Sequence, residues 1–216
     1  MEGGMMVLMF IVAVVAILAP NTTRPKVLEQ FLKLGKGLGF SATSLERVDP
    51  KTGKFSTFDK SIEGSIDNRQ LRIRTREVSD GESSHWEFYA TWRCKNVHKL
   101  RMDVYPEGFF SKVRKKFGMQ DIEIFNERFD DRFIIQCNHK HFPLQTFSGE
   151  FCAKILKQNS SLGNISITKD GVRYTEKICL ESDKTNARLT TIIAIMRELA
   201  EMVDDWKPMY RISKSA

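Results

Sequence analysis

The chain has 216 residues, a net charge of +7, 41% hydrophobic residues and 28% charged residues. This composition argues against disorder as the whole answer and leaves enough chain for one domain with a full core. The positive balance leans mildly towards anionic partners, either membrane headgroups or nucleic acid.

Residues 5–19 read MMVLMFIVAVVAILA, without a charge or a polar side chain, and Pro20 closes the run. As a helix, this run with Gly3 and Gly4 reaches about 26 Å, near the thinner end of a bilayer core. A buried core helix would keep a polar face, and this segment has none. Two readings remain, an uncleaved transmembrane anchor over residues 1–20 and a cleaved signal peptide. The second lacks its basic leader, since only Glu2 precedes the run, and the anchor is preferred. Arg24, Lys26, Lys33 and Lys36 follow against Glu29 alone. The positive-inside rule therefore places the rest of the chain in the cytoplasm. The sequons at Asn21, Asn159 and Asn164 carry no meaning on that side.

A juxtamembrane amphipathic helix is expected within residues 21–39. Its apolar stripe is Val27, Leu28, Phe31, Leu32 and Leu34, and Gly35, Gly37 and Gly39 end it. Those glycines lack the spacing of a phosphate loop and follow a helix instead of opening one. Residues 40–206 form the expected globular domain. Residues 60–66 and 70–78 read as strands around a turn at Asp67-Asn68. In the second strand Leu71, Ile73 and Thr75 alternate with Arg72, Arg74 and Arg76. Residues 85–94 place Trp86, Phe88, Ala90 and Trp92 on one face, and residues 100–105 give a further strand. An antiparallel meander covered on one side fits this run.

One or two helical turns are expected at 109–117, strands at 121–125 and 132–137, and a helix at 145–158. Asp170-Gly171 marks a hairpin between 165–169 and 172–178. The clearest element is a helix over 185–206, where Leu189, Ile192, Ile193, Met196, Leu199, Ala200, Val203 and Trp206 recur at helical spacing. Residues 207–216 form a basic tail. Strands in runs, with helices between and after them, indicate an α+β fold with packed helices and a long C-terminal helix.

Several stretches resemble the DUF3137 family of uncharacterised prokaryotic membrane-associated proteins. These are Phe31-Leu32-Lys33-Leu34 with the glycines and Phe40 behind it, Ile62-Glu63-Gly64-Ser65, and Asp121-Ile122-Glu123-Ile124 running into Phe129-Asp130-Asp131-Arg132-Phe133-Ile134-Ile135. Asp131 stands where that pattern suggests a second arginine. The resemblance implies membrane association and a domain from about 27 to 206, and no known reaction.

Three strings of residues are candidate sites. Asp130 and Arg132 could bind an anion, with Asp130 orienting the guanidinium; a turn acid and a strand-end arginine account for the same string. Cys137, His139 and His141 alternate and would share a strand face within reach of zinc, although no fourth ligand is signalled. Residues 93–116 carry eight basic residues against Asp103 and Glu107. Lys112, Arg114, Lys115 and Lys116 lie among Phe109, Phe110 and Phe117, which suits a surface resting on anionic lipid. A lysine-blunted strand edge gives the same pattern. The cysteines Cys94, Cys137, Cys152 and Cys179 have no paired spacing and read as small core residues. No catalytic signature is present and no cofactor is implied. The expected function is a non-enzymatic, single-pass anchored module binding a protein or an anionic lipid. The alternative is a membrane-tethered enzyme, such as a hydrolase, with a site assembled from separated residues. Nucleic acid is not expected as a partner.

Overall fold

The computed structural model describes residues 23–40, 47–48, 55–56, 60–79, 84–107, 120–158, 163–178 and 182–208. The apolar run at 5–19, the basic turn at 109–117, Cys179 and most of the tail lie outside the described residues. Among those residues, no helix is long and apolar enough to cross a membrane.

The fold is α+β. Helix α1, Thr23–Gly37, buries Val27, Phe31 and Leu34. These recur at intervals of four and three, so one stripe faces inward. It begins two residues before Pro25 and runs three beyond Leu34. The amides of Leu38, Gly39 and Phe40 then close its last turn, with Gly39 in the left-handed region. Gly35 is needed for packing as well: a Cβ there would stand 2.6 Å from Ile62 Cδ1. At Gly64 the Phe40 ring occupies the space that a side chain would need.

Strands β1 (Arg47–Val48) and β2 (Phe55–Ser56) make a small separate ladder. The main sheet holds β3 (Lys60–Ile66), β4 (Arg69–Ser79), β5 (Ser84–Trp92), β6 (Met102–Pro106), β7 (Gln120–Ile122), β8 (Phe133–Cys137), β9 (Asn164–Thr168) and β10 (Gly171–Lys177). All pairings are antiparallel, in the order β3-β4-β5-β10-β9-β6-β8-β7. A simple meander does not persist past β5, because the β9–β10 hairpin inserts between β5 and β6. That hairpin brings Ile165, Ile167, Val172 and Tyr174 into the core, and a central place covers them best. Its tip follows the Asp170-Gly171 signal. Between β3 and β4, Asp67 and Asn68 both have positive φ, 48° and 62°, as a two-residue hairpin requires.

Helices α2 (Glu127–Asp130), α3 (His141–Thr146) and α4 (Gly149–Leu156) lie near β8 and the C-terminal helix. The stretch expected as one helix over 145–158 is two helices. Ser148 is extended and caps α4 by accepting from the Phe151 amide, so its own backbone cannot continue α3. Helix α5, Asp183–Asp205, packs against α1, α4, β5 and β10. The Trp92 indole donates to Ile193 O at 2.8 Å, and the Asn186 amide donates to Gln30 O at 2.9 Å. The first is buried and ties α5 to the sheet, and the second, half-buried, ties α5 to α1. One face of the sheet is therefore core, and the other presents the second set of alternating side chains.

Candidate anion-binding site

On the second face of β4, β5 and β10, the registers gather arginines. Glu63 lies opposite Arg72 and Arg72 opposite Thr91; Arg74 lies opposite Tyr89, Arg76 opposite Glu87, and Thr91 opposite Arg173. Arg93 continues the row just past β5 and is held there by its amide, which donates to Gln70 O at 2.9 Å. Arg72, Arg74, Arg76, Arg93 and Arg173 line an open groove of about 700 Å³, whose acidic lining among the described residues is Glu63 and Asp170.

The five arginines differ in their partners. Arg72 pairs with Glu63, with Nε 2.7 Å from the carboxylate. Arg76 donates twice to Glu87, at 3.0 and 2.8 Å, and lies 5.1 Å above the Tyr89 ring centroid. Tyr89 donates its hydroxyl to the same carboxylate. Burial raises the Glu87 carboxyl, but the hydrogen bonds from Tyr89 and Arg76 outweigh that and hold it below its ordinary value. Burial and the bond to Glu87 push the Tyr89 phenol up to about 12. Arg74, Arg93 and Arg173 have no ion pair or side-chain hydrogen bond among the described residues. Three cations without counter-ions among the described residues, on β4, on β10 and just past β5, form a field that an anion with several oxygens would satisfy.

The expected sites fall elsewhere. Asp130 uses its two oxygens on the amides of Ile124 and Asn126, at 3.2 and 3.0 Å. Arg132 is exposed, with no ion pair to Asp130, so the two do not form an oriented pair. Cys137 ends β8 and its sulfur contacts the His139 backbone, whereas His141 already begins α3. The strand alternation that would align the three stops after Cys137. No group of three metal-ligating side chains comes together among the described residues. His139 instead packs on Trp206, ring centroids 5.5 Å apart. Burial pushes the thiols of Cys94, Cys137 and Cys152 up to about 11, as for unreactive core residues. Lys112, Arg114, Lys115 and Lys116 lie outside the described residues. The groove was visible in sequence only as the alternation of Arg72, Arg74 and Arg76; Arg93 and Arg173 join it through strand pairing.

No family model matches the chain, and no curated protein matches it. Among solved structures, the mycobacterial trehalose monomycolate transport factor A, TtfA, is similar, with a TM-score of 0.55 over 86% of this chain and 98% of that one. The two are 9% identical, so the likeness is one of fold.

Proposed function

We propose that this chain is a single-pass anchored, non-enzymatic module of the cytoplasmic membrane surface, whose arginine groove takes the phosphate of an anionic lipid headgroup. The observation that carries the reading is a set of three guanidiniums, Arg74, Arg93 and Arg173, that have no partner among the described residues and share one open groove. Their fork-shaped donors match phosphate oxygens better than a lysine cluster would. The described lining holds no histidine or cysteine, which favours binding over catalysis. The apolar run at 5–19 supplies the tether, and Lys112, Arg114, Lys115 and Lys116 add a second attraction to the same leaflet. The resemblance to the DUF3137 family fits this placement, and so does the sharing of a fold with a trehalose monomycolate transport factor; neither names the ligand.

The test is titration of the full chain, held in neutral nanodiscs, with short-chain phosphatidylglycerol, short-chain phosphatidylcholine and inorganic phosphate. Phosphatidylglycerol should bind, and changing Arg74, Arg93 and Arg173 together to glutamine should weaken it by at least about tenfold, the size of one lost charge-assisted contact. Inorganic phosphate binding as tightly would make the site one for a free anion. Equal binding of both lipids, or no effect of the triple change, would remove the groove from the account.

A further inference from the structure

A second surface lies at the far end of the sheet, where β7 is the last strand. Phe125, three residues beyond the end of β7, is 86% exposed and has φ of 61°. Bulky side chains rarely adopt left-handed backbone, and such outliers persist only where the surroundings impose them. Here Asp130 imposes it, because its carboxylate accepts from the amides immediately before and after Phe125. Asn126 adds a cap on α2, and the buried Phe129 fixes that turn to the core. Ile122 and Ile124 pack inward, while Phe125 is turned out. A flexible loop would let the ring fold back on the surface; this one holds it clear of it.

Among the described residues, the chain flanking the ring is acidic: Asp121, Glu123, Glu127 and Asp131 are exposed, against Arg128 and Arg132. Anionic headgroups would be repelled by these carboxylates, so a lipid surface is the wrong occupant. We infer that Phe125 is a preset anchor for a protein partner that offers an apolar socket rimmed by lysine or arginine. A rigid aromatic already in place loses little freedom on burial, and flanking carboxylates steer a basic rim onto it. The inference is independent of the arginine groove, which lies on strands at the opposite end of the sheet.

The experiment places p-benzoylphenylalanine at position 125 of the full chain in the cells that make it, with position 97 as a control, because Val97 is 63% exposed in another loop. Irradiation should give a discrete protein adduct at 125 and none at 97. The adduct should fall by at least about tenfold when Glu123 and Glu127 are both changed to lysine. Adducts with lipid alone, equal yields at both positions, or indifference to the charge reversal would overturn the proposal. In addition, Phe125→Gly should unfold at an equal or higher denaturant midpoint, since glycine accepts the left-handed backbone. A lower midpoint would mean that the ring serves the fold, and the proposal would fail.

Discussion

Strand β10 carries the same chemistry on its two faces to opposite ends. On the core face, Tyr174 donates to Glu176 at 2.7 Å, and Arg188 of α5 reaches the same carboxylate at 2.7 and 2.9 Å. Glu176 is 8% exposed, so the carboxylate meets its counter-ion almost out of water, while Arg188 is 21% exposed. On the other face, Arg173 lines the groove and has no ion pair among the described residues. An arginine that serves the fold brings its carboxylate with it, because an uncompensated buried charge is too destabilising to persist. An arginine left without one stays near water and remains available to a ligand.

The sharpest way to break this comparison is Glu176→Gln. The change keeps the shape but leaves Arg188 facing a neutral amide in a site with little solvent. The expected loss is about 3 kcal/mol, at the lower end for a broken buried pair because Arg188 keeps some exposure. Chemical unfolding of the full chain in mild detergent measures it. A loss under about 1 kcal/mol would mean that the pair is solvated and that the two faces do not differ in kind.

A smaller effect separates the two tyrosines. Burial raises both phenols, with Glu176 adding to the rise at Tyr174 and Glu87 to that at Tyr89. The folded chain holds the Tyr89 proton more tightly than the unfolded chain does. That contribution is therefore intact below pH 10 and lost as pH climbs through about 12. Tyr89→Phe should remove this part of the alkaline decline, about 1 kcal/mol after solvent screening. Tyr174, the more deeply buried, should be the last tyrosine to ionise in an absorbance titration. If Tyr89 ionised at its ordinary value, its bond to Glu87 would not hold in solution.

The core was legible in the sequence because burial imposes a period. Leu71, Ile73 and Thr75 against Arg72, Arg74 and Arg76 gave β4 its two faces, and the spacing from Leu189 to Val203 gave α5. Elements set by a single capping bond were less visible: Ser148 splits an apolar stretch that would otherwise read as one helix. The strand order was hidden too, since the insertion of β9–β10 depends on which faces meet and not on any local pattern. The groove shares that fate. Arg93 and Arg173 are far apart in the chain, and only the pairing of β4, β5 and β10 makes them neighbours of Arg74. Conversely, Cys137, His139 and His141 alternate as residues on one strand face would, but the strand ends at Cys137 and the spacing loses its meaning there.

The smallest expected effect decides most. Changing Arg74, Arg93 and Arg173 together to glutamine should alter stability by no more than about 0.5 kcal/mol, as is usual for surface groups outside any network. It could even stabilise the chain, because three like charges on adjacent strands repel one another. Structural arginines would behave as Glu176 and Arg188 do, and their loss would weaken the fold and the ligand site together. A triple variant that keeps its unfolding midpoint while losing phosphatidylglycerol binding therefore separates binding from folding on a single sheet. A stability that falls by about 2 kcal/mol or more, the size of a broken hydrogen-bonded charge, would mean that these cations have partners in solution and that the groove is closed.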